Sequence, residues 1–243
     1  MIAEDDLRYG HAFRQHWDGG SPGRLETARA RPRTSSRRPG TVGIMQLAGW
    51  AEDLAQDVLA DRLPRRWAHT QGVASKARRL APVLDADAGL VEAACWLHDI
   101  GYAPDLHDTG FHPIDGARFL RDTEHADSLL CRLVAHHSCA LAEATGRGLG
   151  GDLLREFKPP PGDLADALIY CDMTTGPDGH DLTVRKRIAE VRKRYGQAHI
   201  VSQAIAVSAP ELIAAVGRVE GKLTAFKPAR RTLLSPASAF AVS

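Results

Sequence analysis

From residue 45 onward the apolar positions recur at intervals of three and four, the period of one helix face. Leu47, Trp50, Leu54, Val58 and Leu59 trace one stripe, and Trp67, Val73, Ala77, Leu80, Val83 and Leu84 trace a second, with Pro64 between them. Pro82 and the cap-like run Asp85-Ala86-Asp87 predict the close of the second helix and the start of a third, from Ala88 to Leu97, which Gly101 then ends. The stretch 103–113 reads as a loop from its Pro, Gly and Asp content, and 115–120 and 128–137 read as two further helices. Helical spacing returns over 163–173, 183–195, 197–207 and 211–226, and no stretch alternates in the manner of a strand. The pattern predicts an all-α fold.

Residues 1–40 carry no such periodicity. They are rich in Gly, Pro, Ser and Arg, with five arginines between Arg29 and Arg38. This composition predicts a disordered basic extension, an appended tail or an over-called start, since Met45 opens the first patterned segment. One helical domain is expected over 41–228, followed by a short tail over 229–243.

Charge narrows the function classes. The formal net charge is +1 and the pI about 7.8, so nothing global favours nucleic acid as a partner. The basic run Arg185-Lys186-Arg187 with Arg192-Lys193-Arg194 reads as an exposed helix face. Four cysteines with no CxxC pair fit a reduced, cytoplasmic setting. No apolar signal core is evident and no stretch approaches the roughly 20 apolar residues of a spanning helix, so no membrane is expected. Gly146-Arg147-Gly148-Leu149-Gly150-Gly151 matches GxGxxG formally, but it follows a helical segment rather than a strand and is set aside.

The chemistry lies in the histidines. Of eleven, His11, His16, His107, His125, His180 and His199 stand in polar or linker-like contexts. The other five, His69, His98, His112, His136 and His137, lie in or beside segments whose neighbours are apolar. An unpaired imidazole there would cost about 1–3 kcal/mol, so partners are implied. His98-Asp99 places two ligand types side by side at the end of an apolar helix, and Asp172 sits between Ile169-Tyr170-Cys171 and Met173, where a carboxylate must be paired or metal-bound.

As a set, these residues resemble those of the HD-domain family of metal-dependent phosphohydrolases, from Trp50 to Phe226. The diagnostic residues are His69, His98-Asp99 within His98-Asp99-Ile100-Gly101, and Asp172. His112-Pro113-Ile114-Asp115-Gly116-Ala117 and Ala135-His136-His137-Ser138 are similar to the extra ligand segments of the dinuclear members. The resemblance implies a bundle of helices around a metal centre. His69, His98 and Asp172 would ligate one metal, Asp99 would bridge to a second, and His112 with one or both of His136 and His137 would complete that second site. Adjacent helical residues point about 100° apart, so both histidines serve only if the helix ends there or they belong to different faces of the cluster, and His137, directly before the small Ser138, is slightly preferred.

Imidazole and carboxylate without thiolate suit one or two ions of Fe, Mn, Co, Ni or Zn better than Mg or Ca. Such a pair would activate a bridging hydroxide for in-line attack on phosphorus, with no Ser or Cys nucleophile required. The expected function is therefore hydrolysis of a phosphoester or phosphoanhydride in a nucleotide-like small molecule, with His98 and Asp99 central. Lys76, seven residues after His69, and Arg118, six after His112, are candidate phosphate contacts. Two other readings of the scaffold stay open: a di-iron oxygenase of the same type, and a non-catalytic nucleotide-sensing module.

Overall fold

A computed structural model describes residues 44–226, and the expected extension over 1–40 and tail over 229–243 lie outside them. The described residues form ten α-helices, a few short 3-10 turns and no strand. They are α1 (Ile44–Leu59), α2 (Pro64–Leu84), α3 (Ala88–Leu97), α4 (His112–Asp122), α5 (Ser128–His136), α6 (Ala140–Gly146), α7 (Gly150–Glu156), α8 (Gly162–Met173), α9 (Val184–Tyr195) and α10 (Ile200–Phe226). The all-α expectation holds.

Helix α3 is apolar all round because it is central: Val91, Ala93, Ala94, Cys95, Trp96 and Leu97 are buried, and α1, α2 and α8 pack around it. Each large side chain fully buried here contributes about 1.5–3 kcal/mol. Trp67 of α2 stacks on Trp96 of α3 with ring centroids 5.4 Å apart. A second, smaller core joins α8, α9 and α10 through Ile169, Met173, Val184, Ile188, Leu212 and Val216.

Several boundaries differ from the sequence reading. Pro82 lies inside α2, which runs on to Leu84 and turns at Asp85, where φ is +48°. The following Asp87 makes no side-chain cap bond. Helix α4 begins at His112, inside the expected loop, with Pro113 in its first turn. The buried Asp115 carboxylate accepts hydrogen bonds from the backbone N–H groups of Asp108, Thr109 and Gly110 and from the Thr109 hydroxyl, which lashes the preceding loop to the helix.

Gly101 does not end α3, which stops at Leu97; it serves close packing. A Cβ on Gly101 would lie 2.1 Å from the His112 carbonyl oxygen and 2.6 Å from the Gly116 nitrogen. Only glycine lets α4 approach the His98-Asp99 segment so closely.

The two helices expected over 197–207 and 211–226 are one, α10, with Pro210 inside it. Pro210 and Ala206, whose carbonyl loses its partner, both lie on the exposed side, so the lost bond is open to water. By length and composition alone α10 is apolar enough to cross a membrane, and 28 % of its most apolar window is buried. The expectation that no stretch reaches this level is corrected: joining the two segments across Pro210 creates the length, and exposed apolar residues such as Val207 add to the window.

Candidate metal centre

Helix α2 contributes His69, the end of α3 contributes His98 and Asp99, α4 starts on His112, the turn after α5 holds His137, and the last turn of α8 carries Asp172. These six side chains converge at one place. His69 and His98 with Asp99 form one group, and His112 and His137 with the same Asp99 form a second; the ligand atoms within each lie within 4.8 Å of one another. Asp99 Oδ2 stands 3.2 Å from His98 Nε2 and 3.9 Å from His69 Nε2. Its other oxygen, Oδ1, stands 3.4 Å from His112 Nε2 and 3.8 Å from His137 Nε2. One carboxylate thus faces two histidine groups, one with each oxygen.

The imidazoles are oriented by the backbone. His69 Nδ1 donates to the Gly176 carbonyl at 2.9 Å, His98 Nδ1 to the Cys95 carbonyl at 2.8 Å and His137 Nδ1 to the Val134 carbonyl at 2.7 Å. A carbonyl only accepts, so the proton of each ring sits on Nδ1 and the lone pair on Nε2 points into the cluster. His69 Nε2 then meets Asp172 Oδ1 at 3.1 Å, a lone pair against a carboxylate, and His98 Nε2 is buried with no hydrogen-bond partner. Acceptors facing acceptors in a buried site call for a cation among them. The donor set fits a divalent metal ion.

Electrostatics agree. Burial holds the imidazoles of His69 and His137 below their ordinary pKa and that of His112 down to about 3, so they stay neutral. Burial acts against ionised Asp99 and Asp172, but it is overcome. The Arg66 guanidinium and His98 hold Asp99 well below the carboxylate range, and His69, His98 and Arg187 do the same for Asp172. His98 alone is raised: burial acts against its charged form, but the charge and hydrogen bond of Asp99, the charge of Asp172 and the Cys95 carbonyl together outweigh it.

Residues 66–192, rather more than half of the chain, match the HD domain. The chain belongs to the HD-domain family. Comparison with curated proteins and with solved structures finds no match for it. HD domains bind divalent metals, and the convergence of His69, His98, Asp99 and Asp172 gives this HD domain a site with that chemistry.

Three sequence candidates lie elsewhere. His136 turns away, with Nε2 donating to the Phe157 carbonyl at 2.7 Å, because the chain kinks after it. Ser138 and Cys139 are left-handed, with φ of +47° and +60°, and this kink swings His137 inward while the Ser138 hydroxyl donates to Asp172 Oδ2. Non-glycine residues in that conformation cost about 1–3 kcal/mol each and persist where the surroundings hold them. Lys76 is buried, but its ammonium donates to the Thr174 carbonyl at 2.6 Å and hydroxyl at 2.8 Å and pairs with Asp181, which secures the turn after Asp172 instead of facing the cavity. Arg118 is held by Glu156 and Asp108 outside the cavity.

Sequence reasoning missed others. Arg66 donates to Asp99 Oδ2 at 2.7 Å and lies 4.0 Å over the Tyr102 ring, which stacks on His112 at 3.8 Å. Arg187 and Arg194, read as part of an exposed face, instead line the cavity above the cluster, while Arg185, Lys186, Arg192 and Lys193 are exposed. A signal was present: Arg187 falls on the same helical stripe as Val184, Ile188 and Val191.

Proposed function

We propose that this HD domain is a metal-dependent phosphohydrolase that cleaves a phosphoester or phosphoanhydride of a nucleotide-like small molecule. The observation that carries the reading is Asp99, whose two oxygens face two separate histidine groups, as a carboxylate shared between two ions requires. His69, His98 and Asp172 would hold one ion, and His112 and His137 the other. When bound, such ions lower the pKa of water to make a nucleophile and polarise a phosphoryl oxygen.

The chain's own residues orient this chemistry. Gly176, Cys95 and Val134 fix the imidazole tautomers through their carbonyls, and Arg66 holds Asp99 as an anion in one orientation. Ser138 anchors the second oxygen of Asp172, leaving the first toward His69. An open-mouthed cavity lies over the cluster, walled by Arg66, Tyr102, Glu143 and Arg187 among others, and gives a small molecule access to it.

The test is metal analysis joined to phosphate release over mono-, di- and cyclic nucleotides. Asp99→Ala should lose both bound metal and activity, by at least about 10³-fold in rate. Full activity in that variant, or full activity of the metal-free wild type, would overturn the reading.

A further inference from the structure

Helices α9 and α10 roof the metal cluster, and their inner faces differ in character from the floor. Val191, Val201, Ala204 and Ile205 supply an apolar wall. Within it stands Arg187, 5 % exposed, whose Nη1 donates to Glu190 at 2.6 Å and whose Nε is buried with no hydrogen-bond partner. A guanidinium lining a cavity with an unused donor is an anion receptor in waiting, because leaving it so costs about 1–3 kcal/mol. Its charge already acts on His69 and Asp172, the half of the cluster nearest α9.

Charge counting indicates which anion. The lining residues Arg66, Arg187 and Arg194 with Arg147 behind Glu143 supply four positive charges. Asp99, Asp172 and Glu143 with Glu190 behind Arg187 and Arg194 supply four negative ones. With neutral imidazoles the site is balanced, so each bound divalent ion leaves +2. The two ions of the proposed site together leave +4, of which a phosphomonoester dianion offsets half and a diester monoanion a quarter.

We propose that Arg187 receives a phosphoryl oxygen of a phosphomonoester dianion whose organic group lies against α9 and α10, which makes the chain a monoesterase rather than a diesterase. This rests on the phosphohydrolase reading for the reaction, but the anion-binding role of Arg187 does not depend on it.

The test uses the full chain, metal-loaded and after chelation, with inorganic phosphate as probe in calorimetric titrations at pH 8. Arg187→Met should weaken phosphate binding at least about tenfold with metal content unchanged, and Arg187→Lys should recover part of it. Glu190→Gln, which removes the acid behind Arg187 and Arg194 and leaves both guanidiniums in place, should retain most of the binding. In turnover, p-nitrophenyl phosphate should exceed bis(p-nitrophenyl) phosphate in kcat/KM by about 100-fold or more, and Arg187→Met should narrow that ratio. Unchanged phosphate affinity in Arg187→Met, equal losses in Arg187→Met and Glu190→Gln, or preferred cleavage of the diester would overturn the proposal. Failure of the metal reading would be seen separately, as wild-type protein that takes up no metal while the Arg187 effect on phosphate persists.

Discussion

Two neighbouring histidines with the same chemistry have opposite fates, and the backbone between them decides which one faces the cluster. His136 ends a regular helix and spends its Nε2 on Phe157, while the left-handed Ser138 and Cys139 bring His137 into the cluster. His136→Ala is accordingly expected to keep metal content and rate within about twofold, and His137→Ala to lose one ion; elemental analysis of both variants checks this. Arg118 makes the same point for a charge. Its fork is paired with Glu156 at 2.6 Å and also serves Asp108, so Arg118→Ala should leave KM unchanged and cost about 1 kcal/mol of stability, read by thermal denaturation. Residue type and spacing single out the candidate residues, but neither says where a side chain points after a kink or which acid reaches a guanidinium first.

Among the elements, α4 matters most to the second half of the site, because its first residue, His112, faces the cluster and its approach is set by glycine. Gly101→Ala places a methyl 2.1 Å from the His112 carbonyl, so α4 must retreat. The expected result is a loss of about 2–4 kcal/mol in stability together with loss of the ion held by His112 and His137 before the ion held by His69, His98 and Asp172. Metal stoichiometry measured beside the melting curve distinguishes this from simple unfolding. The sequence marks Gly101 as a punctuation residue and predicts a helix stop, since it contains the glycine but not the helix that packs on it. Likewise Pro210 read as a break in α10, because the exposure that makes its lost hydrogen bond cheap is a property of the packed molecule.

For the whole molecule, the buried cluster couples stability to pH and metal. In metal-free protein, His69, His112 and His137 are held below their ordinary pKa near 6.5, so as pH falls below that value the unfolded chain takes up protons that the folded one refuses. Their contribution is a destabilisation that grows toward acid. Asp99 and Asp172, depressed in the fold, contribute stability that is present above the ordinary carboxylate range and lost as pH falls through their folded values. His98 is raised and acts the other way: its share is full below about 6.5 and is lost as pH rises through its folded value. With three imidazoles against one, the chelated protein should melt at a lower temperature at pH 5 than at pH 7, and His112→Gln should shrink the difference. Metal at 100 times its Kd should add about 2.7 kcal/mol, with weaker binding at pH 5 because protons compete for the imidazoles. Scanning calorimetry at the two pH values, with and without metal, measures both effects.

The order of residues by itself determined the helical class, through a repeat of three and four that only a helix can turn into one apolar face. It also determined the site's chemistry, since His69, His98, Asp99 and Asp172 stand where an apolar neighbourhood forbids unpaired polar groups. Tertiary structure alone decided the geometry: that Asp99 faces two histidine groups, that His137 and not His136 enters, and that Arg66 and Arg187 leave the solvent for the cavity. These depend on a left-handed kink, on helices brought together from residues 66 to 205, and on which carbonyl meets which imidazole. Such contacts join residues far apart in the chain, and periodicity, a local property, carries no record of them.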